Sequence, residues 1–247
     1  MSKYFFDYTD TVIGAAVPGL TIRGGGAPVI TPAYGTPAFK KRYLNFLVNA
    51  VSIRFATVDS LDADSSRADF DLLTCFEKNA TTAAGVILMG RASGTATCTS
   101  YLGIADLGGN LQIFKVVAGT FTQLIGTAFT YTAGKNYMLR FRGTGTSIQV
   151  KCWDAETAEP IFTVGVIDSS ITAAGSLGIG ANISTAGTVA PFNFFSVGTG
   201  GEVAQLPLTN ARYTAWLSDQ TARREVLAEF TATGYDSAAG TPFLKTR

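Results

Sequence analysis

The sequence predicts an all-β protein: a two-sheet antiparallel β-sandwich with an extended N-terminal arm and a short C-terminal β extension. Between residues 41 and 201, apolar and polar residues alternate in short runs. Gly, Asn, Asp and Ser separate these runs about every 8–12 residues, a spacing typical of sandwiches. Helical periodicity is nearly absent, which argues against an α/β arrangement.

Composition divides the chain into three parts. The first part, residues 1–40, is punctuated by Pro18, Pro28, Pro32 and Pro37. Because proline removes a donor from a β-ladder, we expect an extended arm with one short strand, Leu20 to Arg23. Residues 41–201 are predicted to form the sandwich. Residues 202–247 are richer in charge and are expected to form a linker and docking segment, or the start of a second small β-module.

The clearest predicted hairpin is centred on residues 143–145. Tyr137, Leu139 and Phe141 share one face of the first strand, and Ile148 and Val150 share one face of the second. Glycines at 143 and 145 supply the turn. The other predicted strands are Leu44–Thr57, Phe70–Glu77, Gly85–Arg91, Cys98–Ala105, Leu111–Val117, Ile161–Val166, Gly175–Ile183 and Phe192–Val197. The alternation at Val226–Phe230 favours one more strand, and its Ala- and Glu-rich composition leaves a short helix as the alternative.

Charge and histidine content exclude several function classes. The 19 basic and 18 acidic residues give a net charge of +1, which offers no basic field to a nucleic-acid backbone. The chain has no histidine, which excludes Ser-His-acid and Cys-His catalytic sets and His-ligated zinc. The start, MSKYFFDYTD, lacks the features of a signal peptide, so we expect synthesis in the cytoplasm and no membrane insertion.

The three cysteines are predicted to be buried and reduced. Cys75, Cys98 and Cys152 lie far apart, inside apolar alternating segments and outside any CxxC pair. Free cysteine behaves as a small apolar residue in such positions. A reactive or paired thiol is the alternative interpretation.

Residues 137–198 resemble a known family. A YMLRF strand, a glycine turn, a strand ending in Cys152-Trp153-Asp154, a Glu159-Pro160 kink and a turn at Asp168 are followed by GSLGIG and an aromatic closing strand. This order resembles the C-terminal half of concanavalin A-like, laminin-G-like jelly rolls. It is similar to lectin-like domains in virion proteins of tailed phages. The segment from Thr214 onwards resembles the lead-in to small β-modules of phage tail and baseplate proteins.

The resemblance implies a non-enzymatic structural component of a tailed-phage virion, in the tail, baseplate, fibre or capsid decoration. We expect it to assemble through the N-terminal arm and the C-terminal tail and to present the lectin-like jelly roll. Its expected partners are other virion proteins and copies of itself, with Trp216 and Phe230 as anchors. The alternative is a carbohydrate-binding domain that recognises a host receptor, in which Trp153 is the candidate to stack on a sugar ring. Burial of Trp153 in the core is the competing interpretation.

The carboxylates do not match those of a glycoside hydrolase. Jelly-roll glycosidases carry the spacing E-x-D-x-x-E, which this sequence lacks. Asp71 and Glu77 on one strand would lie roughly 20 Å apart, whereas hydrolytic pairs lie about 5 to 9.5 Å apart. We therefore expect no catalytic residues and no enzyme.

An acidic stretch suggests calcium as the one conceivable cofactor. Asp62, Asp64 and Asp69 are weak candidates for its oxygen ligands. The EF-hand spacing fails, because Arg67 and Leu73 stand where glycine and glutamate belong. This failure favours a solvated polar loop.

Overall fold

The computed structural model describes residues 2–7, 20–24, 29–32, 42–45, 52–58, 65–78, 84–94, 97–183 and 191–206. These residues form fifteen strands and one short 3-10 helix, Ser65–Ala68. The strands are β1 (Ser2–Asp7), β2 (Leu20–Gly24), β3 (Val29–Pro32), β4 (Arg42–Asn45), β5 (Ser52–Val58), β6 (Phe70–Lys78), β7 (Ala84–Ser93), β8 (Thr99–Asp106), β9 (Asn110–Val117), β10 (Thr120–Ala128), β11 (Lys135–Thr144), β12 (Ser147–Asp154), β13 (Val164–Ile167), β14 (Ser176–Ile183) and β15 (Pro191–Thr199).

The strands form two antiparallel sheets. Sheet A has the order β13-β12-β11-β6-β15-β4-β3, and β1 also pairs with β15. Sheet B has the order β10-β9-β8-β7-β14-β5-β2. The two sheets pack face to face, which confirms the predicted β-sandwich. No helix within the described ranges is long and apolar enough to cross a membrane.

The main core lies between the sheets and is organised around Phe70. The ring of Phe70, at the start of β6, packs against Phe141 of β11 with ring centroids 5.3 Å apart. It also lies over Gly90 of sheet B and Gly143 of sheet A. A Cβ at Gly90 would lie 2.2 Å from the Phe70 ring, and one at Gly143 would lie 2.5 Å from it. Glycine is therefore required in both sheets where they meet this ring.

The outer faces of both sheets are also partly apolar and buried. On sheet A these residues are Leu73, Cys75, Met138, Trp153 and Phe194. On sheet B they are Phe55, Ile87, Met89, Cys98, Leu102, Ile104 and Val116. The third cysteine, Cys152, faces the main core. All three cysteines are free and buried, as predicted.

The structure adds strands to the N-terminal region. The predicted strand at residues 20–23 is confirmed as β2, and β1 and β3 accompany it. All three pair with strands of the sandwich. Pro32 ends β3 at the edge of sheet A, where the loss of one donor is tolerated. The division of the chain at residues 40 and 201 stays a prediction.

Two predicted strands have different bounds in the structure. The range 44–57 was expected to be one strand, but its two ends belong to β4 in sheet A and β5 in sheet B. Alternation specifies which side chains face inward and not which sheet they join. The strand expected from Ile161 begins only at Val164, because the preceding chain is held by side chains of sheet A, as described below.

Strand β10 is not among the strands predicted from the sequence. Its residues, TFTQLIGTA, do not alternate strictly, since a register shift between Gln123 and Ile125 interrupts the pairing with β9. Nearly every side chain of β10 is exposed. A strand without a buried face lacks the alternation by which strands are predicted.

The contact between Phe70 and Gly90 can be tested by a substitution that adds a methyl group at this position. Gly90→Ala is expected to lower the free energy of unfolding by about 1–3 kcal/mol, because the added methyl group must displace the Phe70 ring. Urea unfolding measures this change. The control is Gly165→Ala on β13, whose Cβ would meet Gln149 at an ordinary 3.4 Å and should change stability by no more than about 0.5 kcal/mol. Equal effects of the two substitutions would contradict this packing.

Candidate functional site

The most extensive charged site lies on the outer face of sheet A. It comprises Asp71 of β6, Arg140 and Arg142 of β11, Lys151 of β12 and Glu159 of the β12–β13 connection, here named the Asp71 cluster. Residues two apart on a strand share a face, which places both arginines beside Asp71. The pairing of β6 with β11 sets Asp71 directly opposite Arg142.

Asp71 is a buried acceptor for two arginines. The side chains of Asp71 and Arg140 are each only 2% exposed. Arg140 Nη1 donates to Asp71 Oδ1 at 2.7 Å, and Arg142 Nε donates to Asp71 Oδ2 at 2.6 Å. Burial raises the pKa of Asp71 above its ordinary value, and the charges of Arg140 and Arg142 oppose this rise. Charge-assisted bonds of this length therefore recover part of the hydration that the buried Asp71 and Arg140 have lost.

Glu159 joins two cations that would otherwise repel each other. Arg140 and Lys151 are direct cross-strand neighbours, and like charges in this position are destabilising. Glu159 Oε1 lies 2.8 Å from Arg140 Nε and 2.7 Å from Lys151 Nζ. Lys151 also donates to the carbonyl of Pro160 at 2.7 Å. The β12–β13 connection is thereby fixed on the sheet, which explains why β13 starts late.

The cluster also holds the chain that follows β15. Arg140 Nη2 donates to the carbonyl of Ala204 at 3.2 Å, and the Ala204 amide donates to Asp71 Oδ1 at 3.3 Å. Ala204 is buried against the apolar outer face of sheet A. Both main-chain polar groups of this one residue are thus bonded to the same ion pair. The charges of the Asp71 cluster therefore position two covering segments.

An aromatic ring covers the exposed side of the cluster. The Phe162 ring lies 4.9 Å from the Arg142 guanidinium carbon and 4.4 Å from Lys151 Nζ. Cation–π contacts of this kind stabilise charge that is partly withdrawn from water. Phe162 closes the cluster on the same segment that supplies Glu159.

A second polar site joins three loops at one end of the sandwich. Arg91 of β7 is 1% exposed and has a positive φ of 54°. Its guanidinium donates to the carbonyls of Ala68, Gly145 and Ile171 at 2.6–2.7 Å. The register shift between Gly90 and Ser93 turns this side chain towards the loops. Three loops from distant parts of the sequence are therefore held by one residue.

Asp168 completes this end of the molecule. It accepts hydrogen bonds from the Tyr101 hydroxyl, the Ser170 amide at 2.8 Å and Lys115 Nζ at 3.0 Å. Burial opposes ionisation of Asp168, but the bonds from Tyr101, Ser170 and Lys115 outweigh it and hold its pKa below the ordinary 3.8. Burial and the bond to Asp168 raise the pKa of Tyr101 to about 12.

The structure corrects the stacking role suggested for Trp153. This side chain is 4% exposed and packs against Met138, Phe194 and Ala204 on the covered face of sheet A. A ring in this position has no free face for a sugar, so the prediction that Trp153 stacks on a glycan is wrong. Burial, the competing interpretation, is confirmed. Trp216 and Phe230 lie outside the described residues, and their role as anchors stays a prediction.

The calcium candidates are only partly described. Asp69 accepts the Gly145 amide at 2.8 Å and lies 3.9 Å from Arg91, so its carboxylate already has a cationic neighbour. Asp71 belongs to the buried ion pair. Asp62 and Asp64 lie outside the described residues. In the described part of the chain, no group of three or more His, Cys, Asp or Glu side chains is arranged to hold a metal.

Sequence reasoning missed the buried arginines and Lys151. The alternation placed Met138, Arg140 and Arg142 on the face opposite the core, and a charged face is ordinarily a solvated one. The available signal was the mixture of charge with Met138, Cys75 and Trp153 on neighbouring strands. Apolar side chains on the outer face of a sheet indicate that further chain covers it.

Comparison with known proteins identifies the fold. No family model and no curated protein matches the chain. Among solved structures, the exoplasmic/lumenal domain of VIP36 in its Ca²⁺/Man-bound form has a TM-score of 0.57 at 9% identity, over 82% of this chain and 92% of that domain. The CBM2 module of the evolved Dit of Lactobacillus casei BL23 phage J-1 has a TM-score of 0.51 at 12% identity, over 81% and 96%. The carbohydrate-binding module CBM66 of Bacillus subtilis has a TM-score of 0.50 at 18% identity, over 71% and 92%.

These similarities show a concanavalin A-like, lectin-like jelly roll. Each neighbour is covered over more than nine-tenths of its length. At such low sequence identity the likeness concerns the fold alone. The chain described here is a lectin-like β-sandwich.

Substitution of Asp71 tests the ion pair. Asp71→Asn keeps the shape of the side chain but removes the buried one of the two carboxylates that pair with Arg140, so stability should fall by about 3–5 kcal/mol. Amide exchange at Ala204 should also accelerate in the native protein. The control is Glu156→Gln, an exposed carboxylate, which should change stability by no more than about 0.5 kcal/mol. Unchanged exchange at Ala204 in Asp71→Asn would contradict the positioning role.

The lowered pKa of Asp168 predicts that the free energy of unfolding decreases at acidic pH. Its folded-state pKa lies below 3.8, so the unfolded chain binds a proton at acidic pH before the folded chain does. Its contribution to stability is present above pH 4 and is lost as the pH falls towards the folded-state pKa. Urea unfolding at pH 7 and pH 3 should show a smaller loss for Asp168→Asn than for the wild type. Ser169→Ala, an exposed neighbour, should keep the wild-type loss, and an equal loss in Asp168→Asn would refute the assignment.

Proposed function

We propose that the chain is a non-enzymatic structural component of a tailed-phage virion, built on a lectin-like jelly roll that contacts other virion proteins. The observation that carries this proposal is that the charged side chains of the Asp71 cluster bind main-chain groups. The Asp71 cluster holds the main chain of Ala204, in the segment that follows β15. A segment fixed on the outer face of the sheet suits a domain that joins neighbouring parts of an assembly.

The environment of the carboxylates supports a non-enzymatic role. Asp71 is bonded to two arginines, Asp168 to Lys115 and Tyr101, and Glu159 to Arg140 and Lys151. A general acid or nucleophile must face the substrate with a free oxygen. These three carboxylates instead hold loops on the sheet. The likeness of the fold to the CBM2 module of the evolved Dit of phage J-1 supports the virion setting.

The virion role is tested in intact particles. In the phage that carries this gene, purified particles are expected to contain the chain by quantitative immunoblot. The full-length variants Trp216→Ala and Phe230→Ala should lower its incorporation about ten-fold or more, because buried aromatic anchors dominate interface energies. Ser218→Ala is the matched control. Absence of the wild-type chain from purified particles would overturn the proposal.

Carbohydrate binding is the second candidate function. Its support is that one structural neighbour is the carbohydrate-binding module CBM66, another is a CBM2 module, and the VIP36 domain is in a Ca²⁺/Man-bound form. Since Trp153 is buried, the ligand would bind elsewhere on the sandwich. A glycan array with the full chain, with and without Ca²⁺, should then show binding above that of a denatured sample. Background signal in both conditions would exclude this function for the glycans on the array.

A further inference from the structure

One side of the sandwich carries most of the exposed large apolar side chains. Here the edge strands β10 of sheet B and β13 of sheet A lie against each other. Four of the six such side chains among the described residues lie on β10, on β13 or at the end of β9: Val117 (46% exposed), Phe121 (40%), Ile125 (36%) and Ile167 (72%). Phe121 stacks on Phe55 of the outer face of sheet B with ring centroids 6.4 Å apart, whereas Ile125 lies opposite Ile113 of the main core, so apolar side chains line both faces of this one edge. Apolar side chains gathered at one site mark an interaction surface more strongly than scattered ones.

Strand β10 is an unprotected edge. Among the described strands it pairs only with β9, and its nine residues include no charged residue and no proline. Natural sheets protect their edges with charges, prolines or very short strands. The other edges carry such features: β1 has Lys3 and Asp7, β2 has Arg23, β3 ends at Pro32, and β13 has only four residues.

The geometry of the hairpin directs some main-chain amides of β10 away from β9. The two-residue turn at Ala118 and Gly119, both with positive φ, joins β9 to β10. Bonded and non-bonded pairs alternate along an antiparallel ladder. Counted from this turn, the amides of Phe121 and Gln123 point away from β9. They are available to a further strand at the open edge of sheet B.

We propose that β10 pairs with β10 of a second copy of this chain, antiparallel and about a two-fold axis, so that sheet B continues across the dimer. A two-fold axis sets the same strand antiparallel to itself, and each outward amide then meets an outward carbonyl. Because β10 is uncharged, the pairing brings no like charges together. Phe121 and Ile125 become covered in the same step. The inference does not depend on the virion role.

Light scattering on the full chain tests this pairing. The wild type is expected to have twice the 25.9 kDa monomer mass. Gln123→Lys places equal charges near each other across the axis, and Gln123→Pro removes an outward amide at a bulge, where proline is tolerated. Each variant should shift the protein to the monomer mass. Ala173→Lys, on an exposed loop, is the control and should remain a dimer.

Amide exchange gives a second measurement that needs no substitution. Phe121 and Gln123 should exchange at least about ten-fold more slowly in concentrated than in dilute samples of the wild type, because a dimer protects their amides. A wild-type monomer at high concentration, a mass other than twice that of the monomer, or a dimer that persists in both Gln123 variants would overturn the proposal. These outcomes leave the particle experiment unaffected.

Discussion

The burial of Asp71 between Arg140 and Arg142 is the interaction on which the covered face of sheet A depends. A carboxylate removed from water is costly unless cations and donors surround it. The sheet supplies two arginines from the neighbouring strand, and the remaining bonding capacity is met by the main chain of Ala204. The covering segments are therefore necessary partners of the ion pair as well as a lid over Trp153 and Phe194.

Arg91 performs the corresponding task at one end of the sandwich. Its three bonds to loop carbonyls make those loops interdependent, although they are far apart in sequence. Its positive φ is a strained conformation for arginine. The surrounding contacts, including the Phe70 ring 5.9 Å from its guanidinium, compensate for that strain. Both buried arginines thus bind main chain and fix the positions of loops.

These two arrangements show which charged groups are already engaged within the fold. The groups that resemble a reactive site, Asp71, Asp168 and Glu159, are committed to holding loops. Among the described residues, exposed large apolar side chains are most frequent along the edge where β10 and β13 meet.

The sequence by itself determined the fold class and most strands from β6 to β15, because inward-facing apolar residues recur every second position. It also indicated the burial of the three cysteines. It did not determine that 44–57 divides between two sheets, that Trp153 is covered, or that Arg91 and Arg140 are interior residues. Those facts depend on which distant segments lie over a given face. Alternation shows only which residues lie on each face of a strand. The tertiary structure decides which segments cover each face.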